Sequence, residues 1–543
     1  MNRRCILPSV AALALLAMTG LWLRDAARPA PVNIIFLTVE SWRAEAATPD
    51  RMPNLFRAAA EGTRFTRHRA IAAWTAPNII AVLTGLPPLD QKVNARGQSV
   101  DSDRHLFLEE LADAGWTVAG LQSFMTIDVF RNLGVAVMPG EPMQPWLAAH
   151  ARDARPFVLW HHYLGTHLPY APAQPWRGAF DALEPQLDAA ARERLATVRS
   201  APAIPAGTVA FEPADLPAVG ALYHGGVAEF DAWFGAFWEF FDRSGLRRST
   251  ILIVTADHGE ELLERGNVGH ASTTRAGHLY EEVLRIPLFV WLPEGLAQGA
   301  VPGTVEAVTD HTDLVPALRH WLGRESGSST PDLFDGGRGG SRHAITSFGG
   351  YAEPDPARPS GFEIATLDGP WKLHLRQPAG APVQPLLFNL DSDPGERDDR
   401  AARDPQRVQA LARGLIPDLA ALWQLRDGEP PVEVPQDGAL VTRPRWIVPD
   451  AGGVVRYADI ADGALLRWTG DPAGRYVIEY RAGDGALALD GVLEVAGTVK
   501  DFGRVGEAYW RTWVVPYGHV RLRVVPVGRA DLAGDWLDLR LQP

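Results

Sequence analysis

The stretch Val32–Val39, VNIIFLTV, constrains this chain more than any other. It is a nearly continuous apolar run rich in β-branched residues, which suits a strand covered on both faces, as in a parallel sheet flanked by helices. It ends at Glu40. A second run of the same kind, STILIVTA, ends at Asp257-His258. Amphipathic stretches separate such runs: MPNLFRAAAEG, with Pro53 near its start and Gly62 at its end, then HLFLEELADAGWTVAGL, and a helical pattern near Ala221 to Ser244. PFVLWHHYL adds another strand. Strands alternating with helices predict an α/β architecture with a central, mostly parallel sheet, whose chemistry gathers at the carboxyl ends of the strands.

At 543 residues the chain has room for one large α/β domain with appendages. With 46% hydrophobic and 22% charged residues it falls in the ordinary globular range. The net charge of −13 argues against nucleic acid as a partner. Cys5 is the only cysteine, which excludes an intramolecular disulfide and a cysteine-rich zinc site. Arg3 and Arg4 precede 19 uncharged residues, Cys5 to Leu23, long enough to cross a bilayer. Residues 1–30 are therefore expected to be a membrane anchor with the body outside the cytoplasm, a cleaved signal segment being the alternative that leaves the body secreted or periplasmic. From about Gly428 the text changes to short alternating runs such as VVRYADI and HVRLRVVPV. Residues 31–428 are expected to form the catalytic domain and 429–543 a β-sandwich accessory domain. The sandwich's Trp446, Trp468, Tyr509, Trp510 and Trp513 suit a core as well as a sugar-stacking surface.

Two strand ends that lie side by side would bring Glu40, Asp257 and His258 together. Two carboxylates and an imidazole suit Zn²⁺ or Mn²⁺, with Ca²⁺ possible but less suited to a histidine. The same residues also suit a helix cap and a turn. Thr75, in AAWTAPNIIAVLTG, lies two residues before Pro77, where a helix is expected to begin. Its hydroxyl at a helix N-terminus is either a plain N-cap or, beside a metal, a nucleophile with an anion site around it.

The ordered segments NIIFLTVESWRAEA, MPNLFRAAAEGTRFTRHRAIAAWTAPNIIAVLTGLPP, HYLGTHLPY, ILIVTADHGEELLE, GHLYEEVLRIPLFVW, HTDLVPAL, GPWKLHL and LLFNLDSDPGERDD run from Asn33 to about Arg397. Together they resemble the sulfatase branch of the alkaline phosphatase superfamily. The resemblance implies an alkaline-phosphatase-like sandwich and action on sulfate or phosphate esters. The chain departs from the family at informative places. Where that family has a Cys or Ser that becomes formylglycine, followed by x-P-x-R, this chain has Thr75-Ala76-Pro77-Asn78-Ile79, so no formylglycine is expected. Where the family has paired aspartates, it has Glu40-Ser41. This combination is similar to lipoteichoic acid synthase and phosphoethanolamine transferase relatives, which implies one divalent metal held by Glu40, Thr75, Asp257 and His258 and attack by Thr75. The resemblance further implies that His167 contacts the ester oxygens and His278 lies near the leaving group, with His270 in that role or beside it. His161 and His162 are read as satisfied strand histidines. Arg43, Asn78 and Lys372 are candidates for contact with the anion, Asn78 as a substrate-binding residue, and a surface role fits each as well.

The expected function is thus a metal-dependent hydrolase or transferase acting on an anionic ester, phosphate or sulfate, with an envelope lipid or glycan as the candidate substrate. The alternatives are a true sulfuric ester hydrolase without formylglycine, and an inactive scaffold that binds glycan or lipid.

Overall fold

The computed structural model describes residues 32–427 apart from 94, 96, 97, 122–127, 138–141, 154, 294, 297–301, 325–332, 336–340, 354–358, 380 and 382, together with strands between 448 and 541. Eight strands form the main sheet, in the order Gly303–Asp310, Thr63–Arg69, Leu288–Trp291, Thr250–Ala256, Asn33–Val39, Phe157–Tyr163, Thr117–Gly120, Ala136–Val137. Every pairing is parallel except those of Leu288–Trp291, which runs against both neighbours. All seven residues of Asn33–Val39 are buried, as the unbroken apolar run requires of a strand at the centre of a covered sheet.

Register fixes the site. Val39 is level with Tyr163 on one side and with Ala256 on the other, so three strands end flush. The next residues of two of them are Glu40 and Asp257.

The longest helix, Leu216–Arg243, covers one face of this sheet. Phe230, Phe234, Phe237 and Phe241 follow helical spacing and are all fully buried. Phe230 meets Trp42 edge-on at 5.5 Å, and Phe234 meets Trp291 of the antiparallel strand at 6.2 Å. Burial of each such ring contributes about 1.5–3 kcal/mol. The buried helix Thr75–Thr84 stops at Gly85, whose φ of 75° closes the last turn with an N–H···O bond of 2.7 Å to Ala81.

Sequence reading did not separate out a second sheet. Arg342–Ser347, Gly361–Asp368, Trp371–Pro378 and Gln384–Asn389 pair antiparallel in chain order. Val408, Ala412, Leu415 and Leu422 of helix Pro405–Asp427 pack with Ile345, Phe362, Ile364, Leu373 and Leu375 into a core of their own.

Beyond residue 427 only strands are described. Gly491–Ala496, Arg475–Ala482, Gly518–Pro526 and Leu537–Leu541 form an antiparallel sheet in that order. Two short antiparallel pairs, Val448–Pro449 with Val455–Arg456 and Arg467–Trp468 with Gly506–Glu507, are also described. The remainder of 429–543, expected to form a sandwich, lies outside the described residues, as does the segment 1–30 expected to anchor the chain. Among the described residues no helix is long and apolar enough to cross a membrane.

Candidate active site

The carboxyl ends of the three flush strands carry the site. The ladder continues one step past them, with Glu40 N donating to Tyr163 O at 2.9 Å and Asp257 N to Val39 O at 3.2 Å. Ser41 then turns the chain with φ of 53°. That unfavourable backbone is held from both sides. Ser41 N donates to Asp257 Oδ1 at 2.9 Å, and the Tyr223 hydroxyl donates to Ser41 O at 2.8 Å. Asp257 Oδ1 also accepts from His258 N at 2.8 Å. One oxygen of Asp257 is thus committed to backbone, and the other, Oδ2, is buried with no hydrogen bond.

His258 Nδ1 lies 2.7 Å from Gly259 O. A carbonyl only accepts, so Nδ1 carries the proton and a neutral ring has its lone pair on Nε2. That nitrogen is 3.3 Å from Glu40 Oε1, 3.3 Å from Asp257 Oδ2 and 3.4 Å from Thr75 Oγ1. Gly259 is required here, because an added Cβ would lie 2.1 Å from Glu282 O.

Thr75 differs from expectation in one respect. The helix begins at Thr75 itself and not at Pro77, with Trp74 as the capping residue. Pro77 falls within the first turn, where the missing N–H costs nothing. The hydroxyl is therefore not an N-cap. It donates toward Glu40, 3.3 Å from Oε2 and 3.4 Å from Oε1.

Asn78 does not serve as a substrate contact. Its Oδ1 accepts from Ile71 N at 2.8 Å and Ala72 N at 3.2 Å, and its Nδ2 donates to Ala72 O at 2.8 Å and Trp74 O at 2.9 Å. A carboxamide has two donors and two favourable acceptor positions, and all four are spent. Asn78 ties down the loop that delivers Thr75. Ile79 is fully buried. Lys372 and Arg43 are buried rather than at the surface: Lys372 Nζ is 2.9 Å from Glu281 and 3.0 Å from Glu396, and Arg43 pairs with Glu264 at 2.7 Å.

The histidines divide. His162, read from sequence as a satisfied strand residue, belongs to the site: its Nε2 is 3.0 Å from Glu40 Oε2 and 3.9 Å from Asp257 Oδ2. Its Nδ1 is 2.6 Å from Thr38 Oγ1. The signal that reveals it is register, since His162 pairs with Thr38, two residues before Glu40. His161 behaves as expected, stacked on Trp233 with ring centroids 5.4 Å apart. His270 is buried, with Nδ1 3.0 Å from Glu260 Oε1 and its ring 4.3 Å from that of His258. His167 is half-buried, bonds the Leu168 carbonyl through Nδ1, and meets the His270 ring at 5.2 Å. His278 is not brought to this cluster. Its Nε2 bonds Glu261 Oε2 at 2.9 Å and its ring lies against Tyr280.

A further chain of histidines steadies Asp257 from behind. His311 Nε2 is 2.9 Å from Asp257 O and must donate to it, so in the neutral ring Nδ1 accepts from His68 Nε2 at 3.3 Å. His68 Nδ1 then accepts from Thr309 Oγ1 at 2.9 Å. Burial drives His68 well below its usual range and His311 down to about 4, which keeps both rings neutral.

Charge is the dominant property of the cluster. Burial pushes Glu40 up, but hydrogen bonds from His162 and His258 outweigh it and hold the carboxyl well below the ordinary range. Burial and the Glu40 charge raise Asp257 to about 6. Burial lowers His258, yet Asp257 and Glu40 overcome it and lift the imidazole to about 10. Two sets of side chains present ligand atoms close enough to share one ion: Glu40, His258 and His270, and Glu40, His162 and Asp257. The donor set fits a divalent cation of the Zn²⁺ or Mn²⁺ type, and the orphaned Asp257 Oδ2 supplies the specific sign of it. Thr75 and Glu40 open onto a cavity of about 630 Å³ that His167 and His270 also line.

The sulfatase family model matches residues 141–324, which contain Asp257 and His258 but neither Glu40 nor Thr75. Arylsulfatase A of Bos taurus is 27% identical over 194 residues, covering 31% of this chain and 36% of that protein. The multifunctional alkaline phosphatase superfamily protein PehA of Trinickia caryophylli is 24% identical over 205 residues, 34% of this chain and 37% of its own. The crystal structure of phosphonate monoester hydrolase from Agrobacterium radiobacter superposes with a TM-score of 0.54 at 20% identity, covering 71% of this chain and 95% of that one. The chain spans little more than a third of the length of these curated relatives. Its fold is that of the sulfatases and phosphonate monoester hydrolases.

Proposed function

We propose that the chain cleaves or transfers a phosphate or sulfate ester through Thr75, with Glu40, Asp257, His258 and Thr75 the ligands of one divalent ion, Mn²⁺ or Zn²⁺ ahead of Ca²⁺. The carrying observation is the position of Thr75 Oγ1, at the first residue of a helix, within 3.4 Å of both Glu40 and His258, and facing a cavity. A divalent ion held there supplies positive charge that eases deprotonation of a side-chain alcohol. The Thr75 proton leaves to solvent in the cavity onto which the hydroxyl opens. Thr75 Oγ1 then forms a bond to phosphorus or sulfur as the bond from that atom to the ester oxygen breaks, and the charge gained is held beside the free N–H groups of the helix start. His167, at the cavity wall, protonates the departing alkoxide. Water or an acceptor alcohol then attacks the Thr75 ester and restores the hydroxyl. A threonine cannot become formylglycine, because its β-carbon carries a methyl group.

Phosphate is the first choice of centre and sulfate the second; the buried Ile79 offers no charge where sulfatases have their motif arginine, while the matched arylsulfatases keep sulfate in play. The same reading puts the body outside the cytoplasm behind the apolar run Cys5–Leu23, with 429–543 an accessory β domain, and cell fractionation tests it. The decisive measurement is turnover of bis(4-nitrophenyl) phosphate and 4-nitrophenyl sulfate by the full chain. Thr75→Ala is expected to lower kcat by at least about a thousandfold, and unchanged turnover in that variant overturns the proposal.

A further inference from the structure

The same cavity carries information about the other half of the substrate. Trp74, Phe130, Tyr163, Leu164 and Tyr351 make up much of its wall. Among the described residues Leu164 is one of two large apolar side chains that stand out as exposed, at 48%. An exposed leucine at the edge of an aromatic cavity is a favourable contact for an apolar group and a poor one for a hydrated anion.

The charges point the same way. Glu40, Glu229, His167 and His270 are the ionisable acids and bases on the wall apart from the Tyr163 and Tyr351 phenols; among the described residues that line the cavity, none is lysine or arginine. Glu229 projects from the long helix and is held in place by Ala173 N, which donates to its Oε2 at 3.0 Å. Burial together with the Glu229 charge pushes the Tyr163 hydroxyl to about 12, so the phenol stays neutral beside a carboxylate. Sites for polyanionic ligands place arginine forks or lysines around each extra anionic group. Here a second anion would meet a carboxylate instead.

We infer that the organic half of the substrate is apolar and carries no negative charge beyond the reacting ester, with Glu229 excluding polyanionic competitors. This rests on the reading of the cavity as the substrate pocket of Thr75. Like-charge contact is an ordinary device of discrimination, and its expected scale here is about tenfold or more in kcat/KM.

The test compares 4-nitrophenyl phenyl phosphate with 4-nitrophenyl 4-carboxyphenyl phosphate on the full chain. The uncharged ester is expected to have at least about a tenfold higher kcat/KM, and Glu229→Lys to narrow or reverse the ratio through the carboxylated ester. Glu229→Gln, which keeps an acceptor for Ala173 N, is expected to narrow it less. Equal or better use of the carboxylated ester by the unaltered chain overturns the inference. Calorimetric binding of phenylphosphonate against 4-carboxyphenylphosphonate to Thr75→Ala reads recognition without chemistry. A preference for the uncharged ligand there sustains the inference even if Thr75 proves not to be the nucleophile, and no preference overturns it while leaving the nucleophile intact.

Discussion

Two buried charge clusters in this molecule solve the same problem in opposite ways. Between the main sheet and the second sheet, Glu281, Glu363 and Glu396 are met by cations of the chain itself. Lys372 bridges Glu281 and Glu396, Arg69 pairs with Glu281 at 2.7 Å, Arg376 takes Glu363, and His374 spans Glu363 and Glu396 at 2.8 and 2.9 Å. At the flush strand ends, the ion-pairing side chains around Glu40 and Asp257 are histidines alone among the described residues, and Asp257 Oδ2 is left without a hydrogen bond. A buried anion needs a cation nearby. The first cluster carries lysine and arginine among its own cations and is a fastener; the second presents a donor set that fits a divalent cation and is a socket.

Breaking the fastener has the largest expected effect. Lys372→Met strands two buried carboxylates and is expected to cost about 3–5 kcal/mol in thermal or chemical denaturation. A loss under 1 kcal/mol would make the network ornamental. The same network predicts the acid limb of stability. Burial raises Glu281, but Arg69 and Lys372 more than reverse it, and Glu363 is likewise lowered by His374 and Arg376. Groups lowered on folding stabilise fully above their ordinary value of 4.5, and that contribution is lost as pH falls through the folded-state values. His374, whose burial penalty is overcome by Glu363 and Glu396, is raised, so its share is complete below 6.5 and fades as pH rises through its folded value. Denaturation midpoints from pH 3 to 8 check both limbs, and Glu363→Gln is expected to flatten the acid one.

The socket is expected to respond to ions. With Mn²⁺ or Zn²⁺ at a hundred times its dissociation constant, stability is expected to rise by about 2.7 kcal/mol, and Asp257→Asn to abolish the rise. Removing His311, which props Asp257 through its carbonyl, is a gentler perturbation. His311→Phe is expected to weaken ion affinity about tenfold, read by titration calorimetry. The smallest effect separates the clusters most sharply. In chelator, Asp257→Asn keeps the acceptor for Ser41 N and His258 N while relieving repulsion with Glu40, so it is expected to be neutral or stabilising by about 1 kcal/mol. A loss of several kcal/mol would mean that the socket, too, balances its own charge.

Much of this was legible before coordinates. The runs ending at Glu40 and at Asp257-His258 declare buried strands because a sheet covered on both faces leaves no position for polar alternation, and they deliver the clustered acidic and imidazole residues directly. The helix pattern that follows it singles out Thr75, although the helix starts two residues before Pro77. What stayed hidden depends on pairing across the chain. His162 looks like its neighbour His161 until the register with Asn33–Val39 decides which faces Glu40. Asn78 reads as a pocket residue because nothing local says that its carboxamide bonds the loop Ile71–Trp74. Lys372 reads as a surface cation because the second sheet that buries it is defined by hairpins whose partners lie far along the chain. His278 follows a family pattern, yet Glu261 claims it.

The helix that bears the hydroxyl is clasped at both extremities, by the amide of Asn78 where the chain enters and by the left-handed Gly85 where it leaves. Such a mounting has no loose end to fray. Warming should therefore spare the placement of Oγ1 until the surrounding layers separate, so that heat inactivation and global melting coincide on one curve.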